Sequence, residues 1–161
     1  MLQFHDFTPE RIEEVFSLYE KNEAYFQLAT GQMATIQDVW HDVSLLPEGV
    51  SPTQHHVVLI DLDEQLVGIL IYITAYPTAD TLYIGLLLLN PLYQGRGLGA
   101  TIVTQLQQEL APPLTKIRLV VLDDNVAAKR FWMHHGFVEI THEVMTHHHH
   151  TQRGTVLQFQ R

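Results

Sequence analysis

A short glycine-rich segment, residues 94–100 with the sequence Gln-Gly-Arg-Gly-Leu-Gly-Ala, constrains the fold of this chain more than any other feature. It follows an apolar run at 82–89 that predicts a strand, and it precedes a helical pattern with an apolar side chain at every fourth position from 98 to 110. Two prolines, 112 and 113, end that pattern. Glycines admit backbone angles closed to other residues, and a helix beginning at Gly97 directs its unpaired N–H groups at the loop. The segment therefore predicts a cradle for a phosphate-bearing ligand.

Three other interpretations of this segment compete with the phosphate cradle. A tight turn that packs a helix closely on a strand would need the same glycines. A Walker loop needs Gly-Lys followed by Ser or Thr, which is absent. The dinucleotide fingerprint is matched by Gly95, Gly97 and Ala100, with acidic residues 123–124 after the next apolar run. Five residues, 90–94, separate those glycines from the strand, and about forty residues follow the next strand, too few for a second nucleotide-binding half.

A second motif follows the predicted strand 116–122. Asn125 is suited to cap a helix over 126–135, and Gly136 is suited to end it in a left-handed conformation. With both motifs in view, the chain resembles the GNAT superfamily of N-acetyltransferases. The cofactor loop of that family, Q/R-x-x-G-x-G/A after a hydrophobic residue, any residue and Pro, is matched by Leu89, Pro91, Gln94, Gly97 and Gly99. Its later block is matched by Asn125, Ala128, Phe131, Trp132, Gly136 and Phe137. The two blocks cover roughly residues 81–140.

The resemblance implies an acetyl-CoA-dependent enzyme that acetylates a primary amine by direct attack in a ternary complex. The loop amides would bind the diphosphate, and strand backbone near Leu89 would pair with the pantetheine arm and stabilise the oxyanion. A bulge or an early strand end is expected beside residues 90–91, because proline cannot donate to a sheet. The residues expected to bind the cofactor are Leu87, Leu89, Gln94, Gly95, Arg96, Gly97, Gly99, Ala100, Asn125, Lys129 and Trp132.

The chain departs from the family at two catalytic positions. Many members carry a carboxylate base four residues before the position of Leu89, where this chain has Gly85. Many carry a tyrosine as thiol acid where this chain has Trp132, whose indole N–H cannot supply that proton. The acid and base are therefore unassigned, with Tyr83, Glu23 and Tyr25 as candidates. Alternation along the strand would place Tyr83 on the same face as Gly85, Leu87 and Leu89, and Gly85 itself either relieves crowding or opens space for substrate.

Length and composition are those of one compact domain. The chain has 161 residues and 46% apolar content, with no linker or internal repeat, so we expect a single domain over residues 1–161. The N-terminus lacks the pattern of a signal peptide, and no apolar run reaches the roughly twenty residues of a membrane helix. Cysteine is absent, which excludes disulfides and thiolate chemistry. A cytoplasmic protein is the expectation.

Hydrophobic periodicity predicts an α/β fold with a mixed central sheet flanked by helices, and the resemblance to GNAT proteins implies that this sheet is mostly antiparallel. Thr8 and Pro9 predict a helix start, and helices dominate to about residue 46. A turn at residues 63–64 joins two strands, and the unbroken apolar character of 82–89 predicts a strand buried on both faces. The predicted strands are 2–7, 56–62, 66–76, 82–89, 116–122, 137–144 and 155–159.

Negative charge is concentrated in the first fifty residues, which hold nine acidic and two basic side chains and so supply seven of the nine net negative charges. Because this region borders the acceptor pocket in GNAT proteins, the resemblance implies attraction for a cationic amine. A solvated helical surface explains the same charges. Nucleic acid is not expected as a partner, since the chain has no basic stripe.

Eleven histidines suggest a metal site, which we reject. The consecutive residues His147–His150 would alternate faces in a strand, no H-E-x-x-H motif occurs, and a solvated hairpin explains the run better. No serine lies in a G-x-S-x-G motif.

Two further functions stay open beside acetyl transfer. A non-catalytic acyl-CoA-binding sensor or interaction domain is suggested by Gly85 and Trp132, and a nicotinamide-binding oxidoreductase by the glycine pattern. Neither a membrane nor a metal is expected. The acceptor, a small molecule or a peptide amine, is not identified, and a homodimer is one option for the assembly.

Overall fold

A computed structural model of the chain describes all residues, 1–161. It contains seven strands and five α-helices, whose number and order agree with the predicted α/β architecture. The elements are β1 (Leu2–Asp6), α1 (Ile12–Lys21), α2 (Glu23–Thr30), α3 (Ile36–Ser44), β2 (His55–Leu62), β3 (Gln65–Thr74), β4 (Thr81–Leu89), α4 (Leu98–Glu109), β5 (Lys116–Leu122), α5 (Val126–His134), β6 (Val138–His147) and β7 (His150–Gln160). None of the helices has the length and apolar character needed to cross a membrane.

All seven strands form one sheet in the order β1-β2-β3-β4-β5-β7-β6. Every neighbouring pair is antiparallel except β4 and β5, which are parallel. The predicted mixed and mostly antiparallel sheet is therefore confirmed. The strands β6 and β7 are longer than predicted, because cross-strand pairing carries the polar sequence between them into one hairpin.

Helices cover both faces of the sheet. On one face, α4 and α5 pack over a core cluster that includes Ile102, Val103 and Trp132. On the other face, α1, α2 and α3 pack over a second cluster that includes Tyr19 and Val39. Strands β3 and β4 contribute side chains to both clusters, which confirms the prediction that the apolar run 82–89 is buried between two layers.

A β-bulge interrupts β4 at Gly85. Ile71 of β3 pairs with Leu86, and Tyr72 pairs with Ile84, so Gly85 is an extra residue with no partner. The expected irregularity therefore lies five residues before Asn90, whereas the expected early strand end at Leu89 is present.

The bulge reverses the side-chain alternation of β4, and the prediction that Tyr83 shares a face with Leu87 and Leu89 is wrong. Leu82 and Ile84 belong to the cluster under α4 and α5, and so do Leu87 and Leu89 beyond the bulge. Tyr83 consequently lies on the opposite face, the one covered by α1–α3. One inserted residue produces this change because successive side chains in a strand alternate faces.

Most predicted turns and caps are present. Asp63 and Glu64 both have positive φ, at 50° and 67°, as a two-residue hairpin turn requires. Thr8 precedes a short 3₁₀ turn at Pro9–Arg11, but its side chain makes no capping hydrogen bond, so the predicted cap is wrong in that detail.

Candidate functional site

The central feature of the candidate site is a gap between β4 and β5. The two strands pair only where Thr81–Tyr83 lie beside Lys116–Arg118, and they part beyond those residues. The Asn90 N–H donates to the Val67 carbonyl at 2.7 Å, which sets the alternation of peptide groups at this end of β4. The N–H groups of Leu87 and Leu89 therefore point away from β3 and into the gap.

The glycine-rich loop lies at the open end of that gap. Asn90 accepts a hydrogen bond from the Leu92 N–H at 3.0 Å and starts a short turn that leads into the loop. Gly95 and Gly97 have φ of 74° and 82°, so their left-handed conformations explain the need for glycine. No protein atom accepts a hydrogen bond from the six consecutive N–H groups of residues 95–100. Six consecutive backbone donors in the loop and the first turn of α4 are therefore free of protein partners.

Helix α4 begins directly after the loop, with Gly97 at its N-cap position. The predicted start at Gly97 is thus one residue early. The side chain and the N–H of Thr101 both donate to the Gly97 carbonyl at 3.0 Å and hold the first turn. The positive end of the helix dipole adds to the field of the free N–H groups. Arg96 lies over the ring of Tyr93, 5.5 Å from its centroid, and adds a positive charge beside the loop.

Asn22 ties the helical layer to the end of β4, and sequence reasoning missed it. Its buried side chain donates to the Leu18 carbonyl at 2.9 Å and to the Leu89 carbonyl at 3.1 Å. The Gln94 side chain donates to the same Leu89 carbonyl at 3.0 Å. The Gln94 side chain therefore holds the loop against the end of β4, while its N–H donates to the Pro91 carbonyl at 3.3 Å. No pattern around Asn22 indicates this role, because its partner lies 67 residues further along the chain.

Gly99 has a packing role. A Cβ at this position would lie 3.2 Å from the Phe131 ring, so glycine allows α4 to approach α5 closely. Close packing was one interpretation of the glycines in this segment. Among them, only Gly99 has neighbouring atoms near an added Cβ, so this interpretation holds for Gly99 alone. Ala100, one residue on, lines a shallow depression of about 500 Å³ along α4 together with Thr101 and Thr104.

Helix α5 and its N-cap carry three of the residues predicted to bind the cofactor. The Asn125 side chain accepts from the Ala128 N–H at 3.2 Å and caps the helix, as predicted. Lys129 pairs with Glu139 at 2.6 Å, so its ammonium already has a partner. The Trp132 ring packs between Phe131 and Phe137 and is only 8% exposed. Most of the Trp132 side chain therefore belongs to the core, and its contact with the cofactor stays a prediction.

The three candidates for acid or base have different environments. Tyr83 is half-buried, and burial followed by the charge of Glu143 raises its pKa to about 12. Burial and then Asp42 raise the pKa of Tyr25 to about 12 as well, and Tyr25 packs edge-on against Phe26. Both phenols are therefore protonated at neutral pH and suited to donate. Glu23 lies exposed at the start of α2 and makes no hydrogen bond.

Gly85 borders the gap and does not relieve crowding. A Cβ built there would meet only the Ile71 carbonyl oxygen, at 3.7 Å. Of the two interpretations proposed for this glycine, relief of crowding is wrong, and open space beside the gap is what the structure has.

Other candidate features lie outside this region. A cavity of about 680 Å³ beside β1 is lined by polar residues that include Arg11 and Asp61, which pair with each other. His148 and His149 form the turn of the β6–β7 hairpin, as predicted, and His148 bonds Asp38 at 2.9 Å. No group of three or more His, Cys, Asp or Glu side chains is arranged to hold a metal ion.

Several solved structures with this fold are described as acetyltransferases. An acetyltransferase from Thermus thermophilus superposes with a TM-score of 0.83 at 24% identity, covering 100% of this chain and 97% of its own. The ribosomal-protein-S18-alanine N-acetyltransferase of Escherichia coli gives 0.71 at 14% identity, with 99% and 94% covered. Spermidine N-acetyltransferase from Vibrio cholerae, in complex with CoA and spermine, gives 0.72 at 15% identity, with 99% and 95% covered. The chain therefore has the fold of an acetyltransferase.

The family follows from the sequence itself. The family model described as Acetyltransferase (GNAT) family matches residues 13–137, well over half of the chain. The chain belongs to the GNAT acetyltransferase family, and the resemblance noted from its two motifs is confirmed. No curated protein sequence is significantly similar to it.

Proposed function

We propose that this protein transfers the acetyl group of acetyl-CoA to a primary amine, by direct attack of the amine within a ternary complex. One observation carries the proposal: six unpaired N–H groups, residues 95–100, lie at the open end of a gap between two parallel strands. An anion fits the N–H groups, and an extended polar chain fits the gap. A diphosphate joined to a pantetheine arm has both parts.

The cofactor would follow β4 from the loop toward the point where the strands meet. The N–H groups of Gly95–Ala100 would hold the diphosphate, with Arg96 beside them. The peptide groups of Leu87 and Leu89 would pair with the arm as a neighbouring strand does. The Leu89 carbonyl already accepts from Asn22 and Gln94, which leaves its N–H as the free donor in the gap. Asn125 would offer its side-chain N–H groups from the other side.

The transfer step needs a deprotonated amine and a donor for the oxyanion. Alkyl amines have a reference pKa of roughly 10, so a base or a water chain must remove a proton before attack. The Leu89 N–H is placed to stabilise the oxyanion. The raised pKa values of Tyr83 and Tyr25 disfavour both phenols as the base. Since β4 has a glycine where a carboxylate base is common, we propose that water beside Gly85 relays this proton.

A non-catalytic acyl-CoA-binding domain is the second candidate. Two observations favour it: no carboxylate projects from β4 at Gly85, and Trp132 is largely in the core. Release of free thiol from acetyl-CoA in the presence of amines separates the two functions. Turnover supports the transferase, and binding without turnover supports the sensor.

Gly97→Val tests the cofactor site, and Gly49→Val is its matched control. Both glycines have φ near 80° and open space around an added Cβ, so both substitutions impose similar backbone strain. Only Gly97 lies in the proposed anion site. Calorimetry with acetyl-CoA should show affinity at least about tenfold weaker for Gly97→Val, since a loss of about 1.4 kcal/mol suffices. Gly49→Val should bind like the wild type. Equal binding by all three proteins would refute the proposed site.

A further inference from the structure

Arg118 lies at the point where β4 and β5 part, on the face of the sheet covered by α1–α3. Its register partner on β4 is Tyr83, and its partner on β7 is Gln158. The preceding pair, Leu82 and Ile117, belongs to the core cluster on the opposite face. Tyr83, Arg118 and Gln158 therefore project together from the face that carries the helices of the first fifty residues.

The Arg118 guanidinium is partly buried and has no carboxylate partner. Its Nε and Nη2 donate to a single amide oxygen, Gln158 Oε1, at 3.0 and 2.7 Å. No Asp or Glu oxygen lies within 4.0 Å of it, whereas the neighbouring Lys116 is paired with Asp80 at 3.1 Å. Two of five N–H donors are used, and Nη1 together with the second N–H of Nη2 is left as a two-pronged edge. Gln158 fixes the plane of that edge, and a carboxylate fits it.

The position of Arg118 excludes the cofactor phosphates as its partner. Tyr83, beside Arg118, lies six residues before Leu89 on β4, and the anion site begins beyond Leu89. At about 3.3 Å per residue the two ends of this stretch are roughly 20 Å apart. An anion that reaches Arg118 therefore enters from the acceptor side.

An opposite charge lies on the same face. Glu143 of β6 pairs with Gly154 of β7, which in turn pairs with Leu122 of β5. Leu122 lies four residues after Arg118 in the same strand, so Leu122, Gly154 and Glu143 all lie on the face of Arg118. Glu143 is close enough to Tyr83 to raise the pKa of its phenol, yet it forms no ion pair. The surface thus holds an unpaired cation and an unpaired anion near the end of the gap, an arrangement suited to a ligand with both charges.

We propose that Arg118 binds a carboxylate of the acceptor, so that the acceptor is an amine with a carboxylate several bonds away from it, as a short peptide with a free C-terminus has. A free α-amino acid is too short, because roughly 20 Å separates Tyr83, beside Arg118, from Leu89, whose N–H is the proposed oxyanion donor. The inference rests on the proposed acetyl transfer and names its substrate class. It differs from the expectation of a cationic amine, because the partly buried charge on this face is positive.

The experiment compares short peptides with free C-terminal carboxylates, the free acids, with their C-terminal carboxamides, which keep the shape and the amine but lack the negative charge. Wild-type protein should acetylate the free acids at least about tenfold more efficiently than the carboxamides in kcat/KM. Arg118→Met should lose that preference, because its KM for the free acids should rise. Its kcat/KM for the carboxamides should change by less than about twofold. Arg118→Lys keeps the positive charge but lacks the two-pronged edge of the guanidinium. Its preference for the free acids should therefore lie between those of the wild type and Arg118→Met.

Arg153→Met is the matched control, because Arg153 is an exposed residue of β7 that projects to the other face. It should keep the wild-type preference, and circular dichroism should show all variants folded. Efficient acetylation of carboxamides or of spermidine with no gain for acids would overturn the inference and leave the acetyltransferase intact. If no amine is acetylated, the proposed function fails instead. Calorimetry of the free-acid peptides with wild type and Arg118→Met, both saturated with coenzyme A, then decides whether Arg118 binds a carboxylate.

Discussion

Asp61 is a buried carboxylate whose charge is stabilised by one arginine. Arg11 Nη1 and Nη2 donate to its two oxygens at 2.9 and 2.7 Å, and the residue is only 4% exposed. The hydrogen bonds from Arg11 lower the pKa of Asp61 and outweigh its burial, which acts in the opposite direction. This pair fixes the chain that enters α1 against β2.

Asp61→Asn should destabilise the protein by about 1–3 kcal/mol at pH 7, because it removes the buried one of the two carboxylates that pair with Arg11 and leaves only the half-exposed Glu14. The folded pKa of Asp61 is depressed, so its contribution is complete above the unfolded value of about 4 and is lost as pH falls through the folded pKa. Urea unfolding at pH 7 and 5 should therefore show the same deficit, and the deficit should shrink below pH 4. The exposed Asp124→Asn should change stability by less than about 0.5 kcal/mol at each pH. A deficit independent of pH would contradict this account.

Residues whose role depends on their own backbone were predictable from sequence, and residues whose role depends on distant partners were not. Gly97 and Asn125 act through a local turn and a local cap, and both lie where their neighbours in sequence place them. Asn22 and Arg118 depend on contacts 67 and 40 residues away. A single sequence carries no record of which distant strand supplies such a partner.

At the scale of elements, the bulge in β4 determines which residues face which layer. Hydrophobic periodicity identified the strand, because β4 is apolar on both faces. The same property made the bulge impossible to predict. A run of leucines has no alternation of polar and apolar residues, so an inserted residue leaves no sign in the sequence. Only the pairing of Ile71 with Leu86 and of Tyr72 with Ile84 reveals the extra residue.

Deleting Gly85 should destabilise the fold far more than replacing it. Without the extra residue, either Leu82 and Ile84 or Leu87 and Leu89 must leave their core cluster. Exposing two such side chains costs roughly 3–6 kcal/mol. Gly85→Ala should change stability by less than about 1 kcal/mol, because the nearest atom to the new Cβ is 3.7 Å away. Urea unfolding measures the stability of both variants. A deletion variant as stable as Gly85→Ala would show that the fold does not need the bulge.

At the scale of the whole molecule, two cores share one set of strands. Ile60 and Leu70 belong to the cluster under α4 and α5, while their chain neighbours Leu59 and Ile69 belong to the cluster under α1–α3. Neither helical layer can separate without exposing the strands that support the other. This shared sheet also explains how Asn22, from one layer, reaches the carbonyl of Leu89 beside the other layer's loop.

Unfolding should therefore be a single transition, and the two tryptophans allow the test. Trp40 lies on α3 against Phe7, and Trp132 lies in the opposite core, so each reports one layer. In Trp132→Phe, the fluorescence of Trp40 should lose its native signal at the same urea concentration as the far-ultraviolet circular dichroism. In Trp40→Phe, Trp132 fluorescence should coincide with circular dichroism in the same way. The comparison is made within each variant, because each substitution shifts stability by its own amount. A Trp40 transition that precedes the loss of circular dichroism, with Trp132 still native, would show that the layer of α1–α3 unfolds independently and that the chain is not one cooperative unit.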